Sequence, residues 1–361
     1  MGRRAICAAG RWCGMARLQK CGPHGILRTP EVLDWIRYSP VVKSVDNTYL
    51  LAHARPDALK WFRHYFAHQD INRNGADAAA EVLEALGAAP CDIISLYNET
   101  AQHLWEGLAR HIEFTREAVE YVRQVRPDLV VAAFSFSTGC PGLDDWEYLQ
   151  DHDFGGADLI EIHEYFGREG FTPWHAVRHR TVHELLGGDH PPFIVGEGGI
   201  DAIEGGTRGW QRTGISGEQY RQMLINYDGE IAKDDYVVAW TPFTSGPTTD
   251  WADFRIDGVI QPSDYQPAVP ALTIPKYERE VKPMEFHGRF AAMAAQMGDR
   301  AGQPGGFVLY NEEGDCSQPS TTGAFHYDSA TDIASFTPAS HQMGPDGVLV
   351  ELPNPFASSP E

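Results

Sequence analysis

No stretch of the 361-residue chain approaches the ~18 consecutive apolar residues that a membrane-spanning helix requires. No membrane partner is therefore expected. Positive charge is scarce as well: 29 Lys and Arg stand against 50 Asp and Glu, a net charge of -21. A surface of that sign repels phosphate backbones, so nucleic acid is not an expected partner. Cysteine is sparse, and six in a chain this long do not form the disulfide framework of a small secreted domain. Cys7, Cys13 and Cys21 crowd the N-terminus, but they lack the paired spacing and the fourth ligand that zinc requires. Neither a metal nor a cofactor is expected. No Gly-x-Gly-x-x-Gly turn follows a predicted strand, which weighs against a dinucleotide site.

What is present suits one large globular core. A hydrophobic share of 42% removes the chain from the disordered class. Residues 1–30 carry Arg3, Arg4, Arg11, Arg17, Lys20 and Arg28 with no acid, but Ala5–Gly10 is too short and weakly apolar for a secretory segment. No export signal is visible, and residues 1–22 read as a poorly ordered arm.

From there, apolar runs and amphipathic stretches alternate. The predicted strands are His24–Leu27, Val41–Val45, Leu59–Phe66, Asp92–Leu96, Leu129–Phe136, Leu159–Tyr165, Phe193–Val195 and Tyr236–Trp240. Predicted helices between them include Glu31–Tyr38, Ala76–Leu86, Glu106–Val125 and Trp174–Leu186. Another is opened by the Ser216–Gln219 capping box. An eighth helix is expected over Met284–Met297. Strands apolar on both faces and separated by helices indicate a parallel sheet. Eight such units favour an α/β protein of the (β/α)8 TIM-barrel type over residues 23–300. Phe307–Tyr310, Ala324–Tyr327 and Val348–Leu352, divided by Gly, Ser and Pro, give residues 301–361 the character of a β-rich extension.

In such barrels the working residues stand at the C-terminal ends of strands. The fourth predicted strand runs into Leu96-Tyr97-Asn98-Glu99 and the seventh into Val195-Gly196-Glu197. Strands four and seven face each other across the mouth, so two carboxylates meet there. Cleavage of a glycosidic bond with retention needs two carboxyl groups ~5–5.5 Å apart, one a proton donor and one a nucleophile.

On these residues the chain resembles clan A of the glycoside hydrolases, which includes cellulase, mannanase and β-xylosidase families. The resemblance spans residues 23–300 as an order of strands. It implies that Glu99 is the acid/base, Glu197 the nucleophile and Asn98 a ligand of the sugar 2-hydroxyl. His163-Glu164-Tyr165 is similar to a His-x-Tyr ending of the sixth strand, which implies that Tyr165 hydrogen-bonds the nucleophile. Trp240 matches the aromatic platform beneath the sugar, and the partner implied is a carbohydrate substrate.

Environment must then divide the labour. Glu99 is expected to hold its proton through burial and the charge of Glu197. Glu197 needs donors and a cation, for which Arg63 and Lys43 are candidates. His163 is read as a substrate contact, with a core histidine paired to Glu161 as the plainer reading; Glu161 is expected to pair with Arg63 or Lys43. Trp210 and Trp251 are candidates for stacking on sugar rings. His175, His179 and His183 have helical spacing and read as a solvated polar face rather than a metal site. The tetrapeptide Leu96–Glu99 recurs as Leu309-Tyr310-Asn311-Glu312, after the barrel and without a partner strand, and is read as chance.

Two other functions compete. A phosphate-binding, aldolase-like barrel would use Gly198-Gly199 or Ser245-Gly246 and a Schiff-base lysine. A barrel that binds saccharide without cleaving it would have no use for both carboxylates.

Overall fold

The structure is a computed structural model. It describes residues 17–201, 209–266 and 269–277, positions 294, 295 and 297, and short strands between 309 and 351. Eight parallel strands run in chain order: β1 His24–Gly25, β2 Val41–Val45, β3 Leu59–Arg63, β4 Ile93–Ser95, β5 Val130–Phe136, β6 Leu159–Phe166, β7 Phe193–Ile200 and β8 Val237–Pro242. Bridges Cys21–Trp240 and Gly25–Ser245 join the two ends, so the sheet closes into a (β/α)8 barrel. Residues 17–22, assigned above to the loose arm, take part in that closure. The Leu18 amide donates to the Asp264 carbonyl, and Leu18 and Cys21 are fully buried. Residues 1–16 lie outside the described residues.

Strand alternation sorts side chains into two cores. Val41, Leu59, Trp61, Ile93, Ala132, Leu159, Ile194 and Val238 fill the inside of the barrel. The alternate residues, such as Val42, Phe62, Ile94, Ile160 and Phe193, pack outward against the helices. Those helices are α1 Pro30–Trp35, α2 Thr48–His53, α3 Gly75–Leu86, α4 Leu108–Val125, α5 Leu143–Asp151, α6 Arg178–Leu185 and α7 Gly217–Ile231. Thr29 caps α1 through its hydroxyl, with Pro30 at the first helical position. The capping box of α7 forms, with Ser216 Oγ accepting from the Gln219 amide at 3.2 Å and Gln219 Oε1 from the Ser216 amide at 2.8 Å.

Three local expectations change. α2 and α5 stand where no helix was predicted. α6 begins four residues later than the Thr172-Pro173 signal suggests. Its amides at Val177 and His179 are instead accepted by the buried Glu164 carboxylate of β6, each at 2.9 Å. A carboxylate from a neighbouring strand thus displaces the local cap. β7 runs on to Ile200 and so carries Glu197 within the strand.

The expected helix Met284–Met297 lies outside the described residues except at 294, 295 and 297, which are helical. In the extension, Leu309–Tyr310, Cys316–Ser320, Gly323–Asp328 and Ile333–Pro338 form an antiparallel sheet, and His341–Met343 pairs with Leu349–Glu351. Asn311 and Glu312 of the repeated tetrapeptide lie outside the described residues. Among the described residues, no helix is long and apolar enough to cross a membrane.

Candidate active site

The inward-facing residues become polar toward the C-terminal ends of the strands. In the lower polar layer Lys43 of β2 bonds Glu161 of β6 at 2.7 Å, both side chains fully buried. The other Glu161 oxygen accepts from the Ser95 hydroxyl, which in turn accepts from Trp61 Nε1 at 2.6 Å. Burial pushes the Glu161 carboxyl up, but Lys43 and His163 outweigh it and hold the group well below the usual carboxylate range. Glu161 is thus the buried partner of Lys43, one of the two expected.

This pair dictates the next residue on β7. A Cβ on Gly196 would sit 2.0 Å from Glu161 Oε1, so only glycine fits. Its carbonyl accepts from Lys43 Nζ at 3.0 Å and from Thr241 Oγ1 at 2.6 Å. At this point the β6–β7 register slips: Ile162 pairs with Val195, but His163 pairs with Glu197. The extra residue turns Glu197 inward as well.

Glu197 is surrounded by donors. Arg63 of β3 reaches its Oε1 at 3.1 Å and the Tyr165 hydroxyl donates to its Oε2 at 2.9 Å. Arg63 therefore supplies the expected cation, although it stands against the carboxylate rather than against substrate. Burial pushes the Glu197 carboxyl up, but the charges of His163, Lys43 and Arg63 prevail and hold it below the usual carboxylate range. The group is ionised throughout the physiological range.

Glu99 follows β4 at φ 53°, a left-handed backbone that non-glycine residues seldom adopt. Its amide donates to the Ser135 carbonyl at 3.1 Å. Burial was the expectation for Glu99. Its side chain is instead 39% exposed, and the contact that fixes it is Oε1 to His163 Nδ1 at 2.7 Å. The same nitrogen lies 3.7 Å from Glu197 Oε2. His163 is itself fully buried, which corrects its reading as a substrate contact: it bridges the two carboxylates from below. Although burial disfavours its charged form, Glu197, Glu161 and Glu99 raise it to about 9.

The two carboxylate oxygens, at 2.7 and 3.7 Å from one nitrogen, are no more than about 6.4 Å apart, the sum of those distances. The two carboxyl groups therefore face the same imidazole nitrogen at the mouth of the barrel.

No protein-family model and no curated protein matches the chain. Among solved structures it is similar to an endo-β-1,3-glucanase of Amycolatopsis mediterranei, at 12% identity over 66% of this chain and 92% of that one, with a TM-score of 0.46. It is also similar to an exo-β-1,3-glucanase of Aureobasidium namibiae, at 12% identity over 70% and 93%, TM-score 0.43. A fungal β-1,4-galactanase gives 13% identity over 68% and 96%, TM-score 0.48. Likenesses this distant leave the site to be read from its own geometry.

That geometry places the remaining residues. Asn98 precedes Glu99, its amide bonded to Gln69 Oε1, and its side-chain oxygen is buried without a hydrogen-bond partner. Trp240 is not a platform. It is fully buried on the outer face of β8, edge-on to Tyr227 at 4.8 Å, with its indole N–H donating to Asp228 at 2.7 Å. Trp210 is also withdrawn, stacked on Tyr220 at 4.8 Å and bonded to the Arg255 carbonyl. On this side buried Phe243 lies edge-on to His24 at 5.1 Å and to Trp251 at 5.3 Å, and Trp251 is 37% exposed.

His24 is the site residue that sequence reasoning missed. His24 is buried, with Nε2 3.8 Å from Glu197 Oε1 and Nδ1 3.1 Å from Thr244 Oγ1. Burial lowers its pKa well below the ordinary value, so it is neutral beside Glu197. Its inward parity on β1 was the available signal.

The histidines of the 175–183 stretch do not form a solvated face. His179 is buried between Glu164 and Asp234 at 2.9 and 3.0 Å, and His183 stacks on Tyr236 at 3.7 Å. No cluster suited to a metal ion occurs among the described residues. The features of an aldolase-like site are occupied too. The Lys43 amine is paired, Ser245 is buried, and the Gly246 amide donates to Asp257 at 2.9 Å.

Proposed function

We propose that the chain is a retaining glycoside hydrolase that cleaves β-glycosidic bonds of an oligo- or polysaccharide by double displacement. The observation that carries this reading is His163 Nδ1 lying between Glu99 and Glu197 at 2.7 and 3.7 Å. A pair held that close, one member buried and ionised and the other open to solvent, suits one nucleophile and one proton carrier.

Glu197 attacks the anomeric carbon. Arg63 and Tyr165 leave it anionic and fix its direction. Glu99 gives its proton to the departing oxygen: with Oε1 on His163, its free oxygen Oε2 carries that proton toward substrate. As the glycosyl ester forms, negative charge leaves Glu197 and appears on Glu99. Both carboxylates face the same imidazolium, so His163 balances the charge on either side of the step. A water activated by Glu99 then attacks the ester and restores both groups. Trp251, partly exposed and edge-on to the buried Phe243, offers an apolar face for a sugar ring on this side of the barrel.

The test is hydrolysis of a panel of aryl β-glycosides and β-glucans. Glu197→Gln and Glu99→Gln should each abolish turnover of unactivated substrates, and azide should rescue Glu99→Ala on substrates with good leaving groups. Wild-type turnover after either substitution would reject the proposal. Saccharide binding with no cleavage by the native chain would favour the non-catalytic barrel.

A further inference from the structure

Outside the carboxylate centre, a second group of side chains has the order of a nucleophile, a base and an orienting acid. Cys140 lies in the loop after β5. Its sulfur is 3.6 Å from Nε2 of His103, which lies in the loop after β4. His103 Nδ1 is 2.6 Å from Asp145 Oδ2, on the first turn of α5. Asp145 is in turn held by the amides of Leu104 and Gly142, at 3.3 and 3.1 Å. The carboxylate, at 2.6 Å from Nδ1 against 3.4 Å for the Gly142 amide, keeps the imidazole proton there and turns the Nε2 lone pair toward the thiol.

An independent feature points into the same place. Arg178 is 4% exposed, and no carboxylate lies within ion-pair distance of it among the described residues. Its Nη2 donates to the carbonyl of Pro141, next to Cys140, at 2.6 Å, while Nε and Nη1 are buried with no partner. The guanidinium lies over the Trp174 ring at 5.1 Å, but that contact fills neither free N–H, and a buried guanidinium with two unused donors is costly unless an anion completes it. The other two described thiols are arranged differently: burial raises Cys21 well above the usual range and Cys91 to about 12. Cys140 itself is partly exposed, as a reacting group must be.

We propose that Cys140 is a nucleophilic thiol, with His103 as its base and Asp145 as the positioning residue, that exchanges with low-molecular-weight disulfides. His103 Nε2 takes the thiol proton and the Cys140 sulfur bonds to one sulfur of the disulfide. The disulfide's own S–S bond breaks, and the departing thiolate takes up the proton. The products are a mixed disulfide on Cys140 and one free thiol, and a second thiol reverses the step. This chemistry stands whether or not the barrel cleaves glycosides.

The reduced full chain, freed of reductant, is mixed with oxidised glutathione or an aromatic disulfide, and the modified residue is located by peptide mass analysis. At neutral pH one equivalent should react on the order of 10-fold or more faster than free cysteine. This phase should be absent in Cys140→Ser and slowed to the free-thiol rate in His103→Gln. The absence of a Cys140-dependent fast phase, or an unchanged rate in His103→Gln, would overturn the proposal. If His103→Gln does not fold, the pH profile of the native chain decides. A fast phase that persists at about pH 6.5 supports a paired thiol, and one that falls in step with an ordinary thiol of pKa ~8.5 overturns it.

Discussion

Replacing Lys43 by methionine removes the cation beneath the candidate site and leaves nearly the same volume. Lys43 and Glu161 are 2.7 Å apart with both side chains fully buried. Deleting one member of such a pair strands the other charge in the interior, at a cost of about 3–5 kcal/mol. For a barrel of this size, at roughly 2–4 °C per kcal/mol, Tm should fall by about 6–20 °C. Adding Glu161→Gln should recover most of the loss, because the uncompensated charge is then gone. The pH dependence has a definite sign. In the native chain Glu161 is depressed, so its contribution is present above the unfolded carboxylate pKa and is lost only as pH falls through the lower folded value. Without Lys43 the largest charge opposing burial is gone and the folded pKa of Glu161 rises, with His163 left as the cation beside it. The penalty is then full at neutral pH and relieved as pH falls through the raised value. Calorimetric Tm measured from about pH 7 down to pH 4.5 should show the gap between variant and native chain closing. A single variant as stable as the native chain, or a deficit independent of pH, would refute the reasoning.

Other perturbations test separate parts of the site. Tyr165→Phe removes the hydroxyl that donates to Glu197 at 2.9 Å and should lower kcat about 10²-fold while changing stability by only about 1 kcal/mol. Trp240→Phe takes a donor from buried Asp228 and should cost about 1–3 kcal/mol in chemical unfolding; a large loss of saccharide affinity would return Trp240 to the site. His163 and His179 are each raised to about 9, so their contributions are full below the unfolded histidine pKa and lost as pH climbs through 9. Tm should fall between about pH 7 and 9.5, and His163→Gln and His179→Gln should each flatten part of that fall; an unchanged slope in both variants would contradict the pairing.

The strand order was legible because parallel strands buried on both faces leave continuous apolar runs, as at Val41–Val45 and Leu159–Phe166. The carboxylate positions followed from that order, since strand ends define the mouth. What the sequence hid were changes of register and partners from distant elements. Trp240 reads as a strand-end aromatic, but irregular pairing of β7 with β8 puts it on the outer face. His163 shows the correct parity, yet its role as a bridge depends on the slip that turns both Gly196 and Glu197 inward. α6 carries a local start signal that a carboxylate from β6 overrides. Closure of the barrel by residues 17–22 rests on backbone pairing with β8, which leaves no trace in side-chain pattern.

The stereochemistry of the first product tests the central claim most directly. Proton NMR of the reducing-end anomer, recorded in the first minutes of hydrolysis of a β-linked oligosaccharide, distinguishes one displacement from two. Carboxylates held on either side of His163 Nδ1 predict that the β-anomer appears first and equilibrates later to the mixture. First appearance of the α-anomer would mean a single displacement by water, and would contradict the assignment of Glu197 as nucleophile.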